Sequence, residues 1–114
     1  MSKIYKIFRL AEWEAALTDG VFLGSADDLR DGFIHFSTRE QVPATIAKYF
    51  PDETTLVIAA VNEADCGDLL KWEISRGGAS FPHLYAELPL GLIDSTLFVH
   101  REEGTAFAWP DEEI

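Results

Sequence analysis

Apolar and polar positions alternate from the first residues. In KIYKIFRL, Ile4, Lys6, Phe8 and Leu10 share one face, with Tyr5, Ile7 and Arg9 on the other. A period of two predicts a strand. Lys6 thereby falls between Ile4 and Phe8 on the face that reads as buried, an odd place for an ammonium group. The period then lengthens. LAEWEAALTDG predicts a short helix with Leu10, Trp13 and Leu17 on one face. Glu12 and Glu14 lie near its positive end, and Gly20 supplies a left-handed stop. VFLGSADDLRD is turn-rich with room for one helical turn. GFIHFS returns to a period of two, with Phe33, His35 and Ser37 opposed to Ile34 and Phe36.

STREQVPATIAKYFP predicts a second long helix with Val42, Ile46 and Tyr49 or Phe50 as its apolar stripe. Ser37 and Glu40 fit the S-x-x-E capping box. Pro43 is too deep for the first turn of a helix starting at Thr38, so a tight turn should come first, with the regular helix beginning near Val42. TTLVIAAV, residues 54–61, is apolar on both faces and β-branched, which marks a central strand covered on both sides. NEADCGD turns the chain into LLKWEIS, a strand with Leu70, Trp72 and Ile74 opposed to Lys71, Glu73 and Ser75. RGGASFPHLYAELPLG, rich in Gly and Pro, reads as an irregular excursion, and STLFVHREE as the last strand. Strands outnumber helices and are not regularly separated by them, which favours an α+β sheet over a doubly wound one.

The 114 residues suffice for one domain, with a core over about 3–100 and an acidic tail over about 101–114. A net charge of −11 with no basic run argues against nucleic acid as a partner. The acidic end, REEGTAFAWPDEEI, reads as solvated surface. No stretch approaches the roughly 20 apolar residues of a membrane span, and MSKIYKIFRL lacks the apolar run of a signal peptide. The single Cys66 excludes an internal disulfide and a cysteine-based zinc site, so a cytoplasmic protein is expected.

Candidate chemistry is sparse. His35, His83 and His100 have no metal-ligand spacing, and RGGAS lacks the lysine and strand-to-helix context of a phosphate loop. No metal is expected. Cys66 sits among carboxylates that disfavour a thiolate. His35 stands out because it shares a face with Phe33 and Ser37, just before a helix start whose free amides suit an anion. FPHLY concentrates aromatic and polar tips of the kind that line pockets. Glu73, beside Trp72, is either a pocket carboxylate or the solvent side of a strand.

Taken in order, IYKI, DGFIHFSTREQVPATIAKYF, LKWE and FPHLYAELPL resemble a small bacterial family, domain of unknown function 952, over roughly residues 3–100. The resemblance implies an ADP-ribosyltransferase-like fold, a split antiparallel or mixed sheet with a few short helices and a central cleft for NAD. It further implies a cleft lined by Lys6, His35, Ser37, Thr38, Trp72, His83 and Tyr85, taking a nucleotide-like or other small polar ligand. Family members carry histidine, in an I-Y-H-I pattern, where this chain has Lys6. Glu73 would then stabilise an oxocarbenium-like centre in ADP-ribosyl transfer. The alternative is a non-catalytic binding or interaction module on the same scaffold.

Overall fold

The computed structural model describes residues 2–109, the side chain of Arg76 excepted. Strand β1 (Lys3–Arg9) runs into helix α1 (Leu10–Asp19), then β2 (Val21–Phe22), helix α2 (Ala26–Asp31), β3 (Ile34–His35) and helix α3 (Val42–Tyr49). Next come β4 (Thr55–Asn62), a 3₁₀ segment (Glu63–Leu69), β5 (Leu70–Ile74), β6 (Ser80–Leu84), β7 (Leu88–Pro89) and β8 (Ile93–His100).

Two three-stranded antiparallel sheets carry the fold, in the orders β1-β4-β8 and β3-β6-β5, with β2 and β7 forming a small ribbon. Among the described residues one isolated bridge joins β1 to the segment just after β3, Tyr5 to Ser37, whose amides and carbonyls exchange hydrogen bonds of 2.8 and 2.9 Å. Beyond that bridge the sheets separate, and this gap becomes the cleft. The result is one α+β domain. As its two apolar faces require, β4 is central and buried from Leu56 to Val61.

Each face of β1 feeds a different core. Ile4 and Phe8 join Trp13, Phe22, Ile34, Phe36 and Leu84 on one side. Tyr5 and Ile7 join Val42, Ile46 and Phe50 of the α3 side. Lys6 lies on the first face, opposite Ala59 in register, and is 5% exposed. Phe8 meets Trp13 and Phe22 edge to face at 5.2 and 4.7 Å.

Several elements depart from the sequence expectation. Helix α1 buries Trp13 and Ala16, while Leu10 is partly and Leu17 more than half exposed. Gly20 ends it as expected, with φ of 76° and its N–H donating to Ala16 O. VFLGSADDLRD holds a strand and a capped helix: Ser25 Oγ accepts from Asp28 N at 3.1 Å, and Asp28 Oδ2 accepts from Ser25 N at 2.9 Å. The turn before α3 is shifted by one residue from the expected box. The bridge to Tyr5 keeps Ser37 extended, so Thr38 and Gln41 make the reciprocal pair instead, Thr38 N donating to Gln41 Oε1 at 2.9 Å. The regular helix begins at Val42, as Pro43 demands.

FPHLY is the largest correction. Residues Ser80–Leu84 form the middle strand of the second sheet, with Phe81 and His83 alternating against Pro82 and Leu84. A proline weakens a central strand by removing a donor. Here Pro82 still accepts from Phe36 N at 3.0 Å, and the lost donor falls beside the end of the two-residue β3. Residues 101–109 also pack. Arg101 donates to the carbonyls of Phe50, Pro51, Glu53 and Thr105, Phe107 and Trp109 lie against the α3-side core, and Trp109 Nε1 donates to Arg39 O. The acidic residues beyond 109 lie outside the described residues. No described helix is long and apolar enough to cross a membrane.

Candidate functional site

Where the sheets part, a cavity of about 180 Å³ opens between β1, α2, β3 and β6. Its inner wall is a cluster of paired charges. Lys6 Nζ donates to both oxygens of Asp28, at 2.9 and 3.2 Å, and to His35 O at 3.1 Å. Asp28, 2% exposed, also accepts from His35 Nδ1 at 2.6 Å, from His35 N at 3.1 Å and from Ser25 N at 2.9 Å. His35 Nε2 lies 2.9 Å from Asp31 Oδ2. Both ring nitrogens of His35 therefore face carboxylates.

Burial alone would raise the Asp28 carboxyl. The His35 hydrogen bond, the Lys6 charge and the Ser25 amide together outweigh it and hold the group far below the usual carboxylate range. The sign for stability follows from linkage. A group depressed in the folded state contributes fully above its unfolded pKa, about 3.9, and loses that contribution as pH falls further. Asp28→Asn should therefore flatten the acid limb of a stability curve below about pH 4. Urea unfolding at successive pH values checks this, and parallel acid limbs for wild type and variant would rule it out.

The outer wall is aromatic. Register places His35 beside His83, with ring centroids 5.6 Å apart. Phe33 stacks on His83 at 4.0 Å and 22°, and touches the rings of His35 and Tyr85 at 4.6 and 5.2 Å. His83 is 4% exposed, and its Nδ1 lies 2.7 Å from Glu73 Oε1. Tyr85 Oη donates to the same oxygen at 2.7 Å. Hydrogen bonds from Tyr85 first and His83 second hold Glu73 below its ordinary range, and the bond to Glu73 pushes the Tyr85 hydroxyl up.

The expected site residues thus divide. Lys6, His35, Ser37 and His83 line the cavity. Glu73 and Tyr85 reach it through His83 and Phe33 rather than lining it. Ser37 Oγ pairs with Thr45 Oγ1 at 3.1 Å. Thr38 is held in the turn before α3, away from the lining. Trp72 lies outside the cleft, on the opposite face of β5 from Glu73, its indole N–H donating to Glu63 at 2.8 Å. Cys66 stays remote, with burial first and the charges of Asp65 and Glu63 next pushing its thiol up. Among the described residues no cluster of three or more His, Cys, Asp or Glu side chains could hold a metal ion.

Asp28 and Phe33 carry much of this geometry. The S-x-x-D signature of SADD was the available signal for Asp28. Phe33 was visible only as a face-mate of His35. Tyr5 also lines the cavity, and its buried hydroxyl has no hydrogen-bond partner among the described residues.

Fold and site define a small α+β domain with two antiparallel sheets and a polar, ring-lined cleft between them. The chain belongs to the family described as protein of unknown function (DUF952), whose model matches residues 7–96. It is similar to the crystal structure of protein CC0527 from Caulobacter crescentus, at 45% identity over 94% of each chain with a TM-score of 0.88. The solution NMR structure of CC0527 gives 48% identity over 90% of this chain and 88% of that one, with a TM-score of 0.79. No curated protein matches the chain.

Proposed function

We propose that the cleft receives the base-and-ribose end of a nucleotide-like ligand in the cytoplasm, on an ADP-ribosyltransferase-like scaffold, with ADP-ribosyl transfer from NAD as its enzymatic form. The observation that carries this reading is the two-sided cavity, with aromatic rings at Phe33 and His83 and hydrogen-bonding charge at Lys6, Asp28 and His35. A flat ring with hydroxyls attached matches both walls. The parting of two antiparallel sheets at one bridge supports the scaffold.

Size and charge restrict the ligand further. Drug-sized pockets run to about 300–1,000 Å³, so a cavity of about 180 Å³ suits a ring and a sugar rather than a whole dinucleotide. The lining cations are already matched: Lys6 with Asp28, Arg9 with Glu12 and Glu53, and Arg30 with Asp27 and Asp31. Phosphates would extend into solvent and add little affinity.

A thermal-shift series with NAD, ADP-ribose and nicotinamide riboside tests the reading. Ligand at about 100 times its dissociation constant stabilises by roughly 2.7 kcal/mol. Nicotinamide riboside and NAD should shift the transition comparably, and the absence of any shift at millimolar ligand would sink the proposal. A second reading, a binding module without catalysis, is favoured by the Glu73 carboxylate, which is engaged by His83 and Tyr85 and lies outside the lining. Binding without release of free nicotinamide would select it.

A further inference from the structure

We infer that His83 presents an unprotonated Nε2 to the cleft as the acceptor for a ligand hydroxyl or a ligand-bound water, with Glu73 and Tyr85 as its positioning residues. This rests on the reading of the cleft as a ligand site, but its first evidence is in the protein alone.

The two cleft histidines are engaged differently. Both nitrogens of His35 face carboxylates of the protein itself, so neither is turned to a ligand. His83 meets a carboxylate only through Nδ1, at 2.7 Å from Glu73 Oε1. An ionised carboxylate accepts and cannot donate, so Nδ1 carries a proton, and the tautomer this selects for the neutral ring has its lone pair on Nε2. Among the described residues Nε2 has no protein partner. The ring cannot readily turn to exchange the two nitrogens. Phe33 stacks on one face at 4.0 Å, the ring is 4% exposed, and β6 is paired on both sides by β3 and β5.

Tyr85 completes the arrangement. Its O–H donates to the oxygen that receives Nδ1–H, which fixes the carboxylate in the plane where it orients the imidazole. The consequence is specificity for a donor at that point of the ligand, an O–H rather than an ether or carbonyl. The same lone pair is placed to take that proton: the O–H bond breaks, its electrons stay on oxygen, and the proton completes an imidazolium whose Nδ1–H remains on Glu73.

Two-bond ¹H–¹⁵N correlation spectra of the ¹⁵N-labelled full chain at about pH 8, where an ordinary histidine is neutral, read the tautomer directly. His83 Nε2 should resonate as an imine nitrogen and Nδ1 as a proton-bearing one. A proton-bearing Nε2 overturns the inference. Glu73→Leu, at a half-exposed side chain, should fold and lose the preference for one tautomer; an unchanged tautomer overturns the positioning role. Saturating nicotinamide riboside should shift the Nε2 signal, and Glu73→Leu should bind it about ten-fold more weakly, the scale of one hydrogen bond. Binding that leaves Nε2 unmoved overturns the contact while the cleft reading stands. No binding, with the tautomer as stated, overturns the cleft reading and the contact with it.

Discussion

Replacing Asp28 with alanine is expected to destabilise the domain by about 3–5 kcal/mol, the scale of breaking a buried ion pair from one side. The variant leaves the Lys6 ammonium 5% exposed with only His35 O at 3.1 Å as a remaining acceptor. It also strips the acceptor from His35 Nδ1, His35 N and Ser25 N. Domains of this kind are stable by about 5–15 kcal/mol, so the melting temperature should fall by more than about 10 °C. Lys6→Met should cost less, because Asp28 keeps the His35 ring and two amides as donors. The double variant Lys6→Met/Asp28→Asn should be less damaging than the sum of its single changes, as expected for groups in one network. Urea midpoints of the wild type, Asp28→Ala, Lys6→Met, Asp28→Asn and the double variant decide this. A loss under about 1 kcal/mol for Asp28→Ala would remove the pair from its central place.

Phe36→Ala is the second large effect, at about 3–5 kcal/mol for a buried aromatic side chain. Phe36 is 2% exposed, packs in the core with Phe8, Phe22 and Leu84, and also lines the cleft. Its amide anchors the segment after β3 to Pro82 O. β3 itself has only two residues, so the packing of Ile34 and Phe36 must hold Phe33 and His35 in position. The loss should therefore appear in stability and in the cleft together. Denaturant unfolding gives the first, and faster amide exchange of His35 relative to β4 gives the second. A change under about 1 kcal/mol would mean that β3 is held by something other than this core.

Much of the fold was legible because it follows local pattern. β1 and β4 declared their faces, and Pro43 announced the late start of α3. The alternation in β1 also placed Lys6 inside and so raised the question of its partner. The partner was not legible by period, since Asp28 lies 22 residues away in a turn-rich stretch whose only marker was S-x-x-D. Ser37 offered a plausible cap to Glu40, yet Ser37 is taken by the non-local bridge to Tyr5 and the reciprocal pair falls on Thr38 and Gln41 in the turn before α3. FPHLY read as a loop because Gly77, Gly78 and Pro82 surround or interrupt it, while its strand character depends on two partners, β3 and β5. The meeting of His35 with His83 is a matter of register, which one sequence does not disclose. Trp72 and Glu73 were rightly opposed on their strand, and that opposition leaves Trp72 outside the cleft.

An amide chemical-shift titration of the ¹⁵N-labelled protein with nicotinamide riboside and with NAD tests the cleft most directly. Shifts should converge on Tyr5, Lys6, Asp28, Phe33, His35 and His83, with the same residues moving for both ligands. Saturation without movement at these residues, or shifts confined to a distant surface, would contradict a ligand site between the sheets.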